Sequence, residues 1–179
     1  MIGDNVIEII DDYLSPELYK EVFNYWTGNY DNGDVQNSCA WTFNSGINRA
    51  GDGDYGQYVH LIFAGHTILS NSFYTLKPII EIEDMTAISR IKANATSRTE
   101  KVVVFDWAFH CDNGPDKKNM TTAIYYINTN NGYTLFEDGT KVESVGNRLL
   151  KFPATMIHTG TSCTDDYRRI LINFNYYRQ

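Results

Sequence analysis

Nothing in this chain approaches the roughly 20 consecutive apolar residues that cross a bilayer, so no membrane-spanning helix is expected. The opening MIGDNVIEII has neither a basic start nor a long apolar core, so it does not read as a secretory leader. Cysteine is scarce. Cys39, Cys111 and Cys163 are odd in number and form no C-x-x-C spacing, which points to a reducing, cytoplasmic compartment. Positive charge is also short, with 15 Lys and Arg against 22 Asp and Glu and a net charge of −7. The adjacent basic pairs are Lys117-Lys118 and Arg168-Arg169, and neither forms a run. That balance argues against a protein held on nucleic acid by phosphate contacts. Internal repeats, low-complexity tracts and domain linkers are absent from the sequence, so 179 residues predict one domain over 1–179.

What the chain does have is aromatic residues, at 14% with thirteen tyrosines, a composition that favours pleated, half-buried surfaces. Val6–Ile10 reads as a short strand. Ser15-Pro16-Glu17 is a helix start, a Ser cap with Pro in the first turn, and Leu18, Val22, Tyr25 and Trp26 continue it for about three turns towards Gly28. Residues 28–57 are rich in Gly, Asn and Asp and predict a long loop or a loose hairpin around Cys39–Phe43. A second helical stretch is expected within Leu61–Met85, interrupted or restarted at Lys77-Pro78. His60 and His66 fall in this helical region and are assigned no metal role. From Ala87 the pattern becomes strand-like, at Ile88–Asn94, Lys101–Asp112, Thr121–Asn128, Lys141–Val145, Arg148–Phe152 and Arg168–Tyr177. Asn130-Asn131-Gly132 and Asp138-Gly139 mark turns between them. Helical support over about 12–86 followed by antiparallel strands over about 87–177 predicts an α+β, mainly β chain: a double-stranded β-helix, or jelly roll, with helices on one sheet.

The chemistry-bearing residues fall in the strand-rich half. In His110-Cys111-Asp112, a strand would turn His110 and Asp112 to one face and Cys111 away from it, into the core. His158, 48 residues on, closes an apolar run and must meet them in space. Two imidazoles and a carboxylate make the facial triad of non-haem Fe(II) oxygenases, which leaves metal positions open. The same ligands also accept other divalent ions. A 2-oxo acid can chelate such a metal, and its far carboxylate then needs a cation. Arg168 and Arg169 compete for that place. Period two groups Arg169 with Leu171, Asn173 and Asn175, and Arg168 with Ile170, Ile172 and Phe174, which favours Arg169. A bare His-x-Asp is a weak signal by itself, and a buried histidine is more often structural than a ligand. The specificity lies in the joint order. Trp41 and Trp107 are read as core or as apolar contacts for a substrate.

The segments His110-Cys-Asp-Asn-Gly-Pro, Thr122-Ala-Ile-Tyr-Tyr126-Ile-Asn128, Gly132-Tyr-Thr134-Leu-Phe136, Val145-Gly146-Asn-Arg-Leu-Leu-Lys-Phe152, His158-Thr-Gly160 and Arg169-Ile-Leu-Ile-Asn-Phe174 resemble the Fe(II)/2-oxoglutarate dioxygenases. The likeness is to the prolyl hydroxylase branch, including its hypoxia-sensing enzymes and small phage-encoded members. It covers residues 87–177 well and 5–27 loosely. The resemblance implies His110, Asp112 and His158 as catalytic iron ligands, and Arg169 with Tyr126 as contacts of the distal 2-oxoglutarate carboxylate. It implies Fe(II), O2 and 2-oxoglutarate, with ascorbate as a reductant, and hydroxylation of a substrate C–H with release of succinate and CO2. A peptidyl proline is the expected substrate, with a free amino acid or other small metabolite as the alternative and nucleic acid ranked last. A non-catalytic metal-binding jelly roll is the third reading. For a phage protein the compartment would be the host cytoplasm. Loops 28–57 and Asn113–Asn119 are expected to close over a peptide. One departure stands out: the tyrosine that the family places upstream of His-x-Asp, against the iron-side carboxylate, is missing from residues 100–109.

Overall fold

The computed structural model describes residues 6–28, 39–47, 55–112 and 119–177. In chain order the elements are β1 (Glu8–Ile10), α1 (Pro16–Thr27), β2 (Thr42–Asn44), β3 (Gln57–Ala64), β4 (Thr67–Ile68), a 3-10 helix (Asn71–Leu76), α2 (Lys77–Ile82), β5 (Ala87–Ser97), a 3-10 turn (Asp106–Ala108), β6 (Met120–Tyr126), β7 (Tyr133–Phe136), β8 (Lys141–Glu143), β9 (Arg148–Pro153), β10 (His158–Gly160) and β11 (Arg168–Tyr177). Helix α1 starts and stops as its sequence demands. The Ser15 hydroxyl accepts from the Leu18 N–H, and Gly28 takes a left-handed φ of 69° that closes the last turn.

Two antiparallel sheets face one another. The larger has the order β1-β9-β6-β11-β5-β3-β2, with β4 on β3, and the smaller has β10-β7-β8. This is the mainly β jelly roll expected from the strand pattern. Strand alternation splits the large sheet into two chemistries. Ile91, Ala93 and Ala95 of β5, Ala123 and Tyr125 of β6, Leu149 of β9 and Ile170, Ile172, Phe174 and Tyr176 of β11 bury one face against Val22 and Trp26 of α1 and Leu76 and Ile79. The opposite face meets the small sheet. There Ile124, Tyr126, Leu150, Phe152 and Leu171 pack on Phe136 and Val142. The small sheet covers only part of the large one. Past its edge, the inner faces of β5 and β11 are left to line a cavity.

Two expectations are met only in part. A helical stretch does fall within Leu61–Met85, over Asn71–Ile82, and it restarts at Lys77-Pro78, but the first part of the window is β3 and β4. Pairing decides this: Gln57–Ala64 lies antiparallel on β5 with Ile62 wholly buried, and the ladder outweighs the local spacing of apolar residues. Pro78 then starts α2, where its missing N–H costs nothing. His60 is therefore on a strand, held between Ala40 O (2.6 Å) and Ser70 Oγ (2.8 Å), and His66 sits in a turn at φ 61°. Lys101–Asp112 is not a continuous strand either. It makes single bridges at Val104 (to Thr161) and His110 (to His158), with the 3-10 turn between them. The Cys39–Phe43 expectation is met in part by β2, which pairs with β3. Residues 29–38, 48–54 and 113–118, where loop closure over a peptide was expected, lie outside the described residues.

A buried ion pair sits on the helix-facing side. Lys151 Nζ is 3.2 Å from Glu83 Oε1 and 3.1 Å from Glu8 Oε2, and Glu83 also accepts from the Tyr13 and Tyr176 hydroxyls at 3.0 Å. Removing one partner of a buried pair strands the other. Glu83→Leu is expected to cost about 3–5 kcal/mol of stability, read as a lower urea midpoint at unchanged slope. A loss under about 1 kcal/mol would show that Glu8 alone satisfies the ammonium.

Candidate metal and cosubstrate site

His110 and His158 face each other across the bridge, each N–H bonded to the other's carbonyl at 3.0 and 2.9 Å. Their ring centroids are 4.7 Å apart. Two residues on, the Asp112 N–H bonds to the Ala154 carbonyl at 3.0 Å, so the whole 110–112 segment is stitched to the chain that leads into β10. The ligand atoms of His110, Asp112 and His158 lie within 4.8 Å of one another. Among the described residues this is the one such cluster.

The neighbours aim these side chains. Nδ1 of His110 faces the Ala108 carbonyl at 2.8 Å, and Nδ1 of His158 faces the Met156 carbonyl at 3.0 Å. A carbonyl only accepts, so each Nδ1 carries the proton and each Nε2 keeps a lone pair for a metal. Burial pushes the His158 imidazole down to about 4, against the pull of Asp112, so it is neutral at pH 7. Asp112 is 1% exposed and fully engaged. Arg90 Nη2 donates to Oδ1 at 3.0 Å, while Thr122 Oγ1 (2.9 Å) and Asn175 Nδ2 (3.0 Å) donate to Oδ2. Burial works to raise its carboxyl, but His158, Arg90, Asn175 and His110 outweigh that and hold it below the usual range. A carboxylate kept charged, the neutral imidazole of His158 and the imidazole of His110 beside it are the donor set a divalent ion needs.

The triad opens into a cavity of about 350 Å³ that also reaches Arg169. Arg169 is 4% exposed, with Nε donating to Ser144 Oγ at 2.7 Å and Nη2 to Thr134 Oγ1 at 3.2 Å. Its guanidinium carbon lies 5.6 Å from the centre of the Tyr126 ring, and the Tyr126 and Thr134 hydroxyls are 2.7 Å apart. Burial lowers the arginine and raises the phenol, which stays protonated and able to donate. Among the described residues Arg169 has no carboxylate partner. Gly132 makes room for it, since a Cβ there would stand 2.7 Å from Arg169 Cδ and 2.7 Å from the Ser162 carbonyl oxygen. Arg168, the competing arginine, is exposed.

Cys111, expected in the core, is half-buried and lines the cavity. Alternation fails here because 110–112 is a single bridge running into a turn and not a regular strand. Trp41 packs at the edge of the helix-facing core, and Trp107 joins Ile47, Tyr55 and Phe105 in a separate cluster. The supporting residues Arg90, Thr122, Thr134, Ser144 and Asn175 were not singled out from the sequence. The available signal was alternation: polar residues at every second position of β5 (Arg90, Lys92, Asn94, Thr96) have no place in a sandwich core unless they face a site.

No family profile matches this chain, and no curated protein matches it by sequence. Solved structures do. A prolyl hydroxylase of Trichoplax adhaerens, in complex with a hypoxia inducible factor oxygen degradation domain peptide fragment, matches at a TM-score of 0.66 and 16% identity over 98% of this chain and 85% of that one. A viral collagen prolyl hydroxylase from Paramecium Bursaria Chlorella virus-1, as its 2OG complex, matches at 0.53 and 12% identity over 100% and 99%. The non-heme alpha ketoglutarate dependent epimerase SnoN from nogalamycin biosynthesis matches at 0.62 and 11% over 96% and 76%. The fold is thus the jelly roll of the 2-oxoglutarate-dependent oxygenases. Among its neighbours are prolyl hydroxylases and an enzyme of different outcome, so reaction and substrate have to be argued from the site.

The residues around Asp112 give a first test. Asn175→Leu removes one of the two donors to Oδ2 and is expected to weaken Mn(II) binding about 10–100-fold while the protein stays folded, measured by calorimetry. An unchanged affinity would show that Arg90 and Thr122 hold the carboxylate without it.

Proposed function

We propose that the protein is an Fe(II)- and 2-oxoglutarate-dependent oxygenase that hydroxylates a substrate C–H, with succinate and CO2 as co-products. The observation that carries this reading is the pairing, in one cavity, of an imidazole and carboxylate cluster with a buried guanidinium that has no acid of its own among the described residues. A buried, uncompensated arginine is costly. An acidic ligand entering from the metal side would supply the missing charge, and the planar fork of Arg169 suits a carboxylate. Tyr126 and Thr134 would add hydroxyl contacts at the same end. Bound iron would supply the oxidising chemistry. The chain's own work is to hold the three ligands, orient the dicarboxylate between metal and Arg169, and keep water out.

A peptidyl proline is the preferred substrate. Two of the similar solved structures are prolyl hydroxylases and one of these holds a peptide, and the chain matches both over nearly all of its length. The same chemistry on a free amino acid or another small metabolite gives the alternative outcome of the substrate test. Ascorbate would serve as reductant and the cytoplasm as compartment, the host's if the protein is phage-encoded.

Anaerobic Fe(II) and 2-oxoglutarate added to the protein are expected to produce a weak visible charge-transfer band, and air is then expected to yield succinate. His110→Ala should abolish both, and Arg169→Met should weaken 2-oxoglutarate by about tenfold or more while leaving Mn(II) affinity intact. Mass spectrometry for a +16 Da product, over a proline-peptide library and a set of free amino acids, identifies the substrate class. Folded, metal-loaded protein with no band and no succinate would eliminate the oxygenase and leave a metal-binding module.

A further inference from the structure

The inner face of the large sheet carries a second cation that the triad and Arg169 do not use. Lys92 lies on β5 between Ile91 and Ala93, both wholly buried on the helix side, so its own side chain turns to the cavity, which it lines. Register locates it along the cavity's length. Arg90, which grips Asp112, pairs with Asn175; Lys92 pairs with Asn173; Asn94 pairs with Leu171; Thr96 pairs with Arg169. Lys92 is therefore one side-chain step from the metal end and two from Arg169, about 7 Å per step. Among the described residues it makes no ion pair, although Arg90 beside it already has Asp112. Burial and the neighbouring Arg90 work against the Lys92 ammonium and Asp112 favours it, so an acidic ligand beside it would supply the charge it lacks; among the described residues neither Lys92 nor Arg169 has an acid of its own along this wall.

Two amides flank Lys92 with work undone. The Oδ1 atoms of Asn173, directly across the ladder, and of Asn94, two residues on, are buried and accept no hydrogen bond among the described residues. Asn173 is 7% exposed. A buried acceptor without a donor costs free energy. An ammonium has three donors, and Lys92 is the donor that the register puts beside both oxygens. Two of its hydrogens can serve the amides while the third is left to a ligand.

We propose that Lys92, steered by Asn173 and Asn94, receives the metal-side carboxylate of the 2-oxo acid, in the place where no tyrosine precedes the His-x-Asp segment. The inference rests on the oxygenase reading above. It gives the dianion a cation at each end, Lys92 beside the chelating carboxylate and Arg169 beside the distal one. Lys92 is here a binding and positioning residue: it orients the chelate, and the metal still holds it.

The test uses the full chain loaded with Fe(II) under anaerobic conditions and titrated with 2-oxoglutarate. Lys92→Met should weaken the ligand about 10–100-fold, and Lys92→Arg should restore it to within about threefold. At saturation, the charge-transfer band of Lys92→Met should be displaced from wild type, because the carboxylate whose partner is lost is part of the chelate. The band of saturated Arg169→Met should stay in place, because its lost partner is remote from the metal. Mn(II) affinity should be unchanged in every Lys92 variant, and Lys92→Gln replaces Lys92→Met should the latter fail to fold. An affinity within twofold of wild type, or a displaced affinity with an unmoved band, overturns the assignment of Lys92 while the oxygenase reading stands. Wild-type protein that binds Fe(II) but not 2-oxoglutarate overturns both.

Discussion

The backbone pair between His110 and His158 is the contact on which the rest of the site depends. Each residue both donates to and accepts from the other, so the two rings are set side by side by the sheet itself, not by the fit of their side chains. The Asp112 N–H bond to Ala154 extends the same stitching by one more link and turns the carboxylate inward. Everything else near the metal position only refines this: carbonyls that choose the tautomers, and Arg90, Thr122 and Asn175 that hold the carboxylate charged. The cost of immobilising three candidate ligands is thus met by the fold itself.

The large sheet separates two kinds of interior by strand alternation alone. Its helix side is largely apolar, with the Glu83–Lys151 group and the His60–Ser70–Ser72 hydrogen bonds among its polar contacts. Its inner side grades from an apolar wall beneath β7 and β8 into a run of polar and charged residues on β5 and β11, where the short second sheet ends. Charges on that wall sit in a medium where they are felt strongly and screened little. A ligand of matching charge is thereby preferred over a neutral one, which ties ligand choice to an architectural fact: among the described residues, three strands facing eight leave part of the broad sheet uncovered.

Much of this was legible in the residues. Helix α1 has its cap, its proline and its terminal glycine in sequence, and the long strands of the C-terminal half show clear alternation. Alternation in Arg169–Asn175 also sorts the two arginines, since Ile170, Ile172 and Phe174 can only face a core. Two parts depart from the local reading for one reason. The region of His60 and His66, helical by that reading, is β3 and the turn after it, and Lys101–Asp112 has strand-like composition but makes two isolated bridges. In each case a partner strand far along the chain decided the outcome, and local spacing carries no record of that partner. Cys111 follows from the second departure: without a regular strand, its neighbours' inward aim does not turn it outward.

By itself, the sequence determined which side chains are available and on which face of each regular strand they stand, because a period of two is a local property of extended backbone. It therefore specified a candidate ligand set, a basic residue for an acid, and a helix-covered sheet. Only the tertiary structure decided that His110 meets His158, that Arg169 is sealed without an acid among the described residues, and that Lys92 and Asn173 stand side by side. Those facts are register and closure, set by pairings between segments tens of residues apart. Free energy is gained there only when the whole sheet forms, so no window of the sequence contains it.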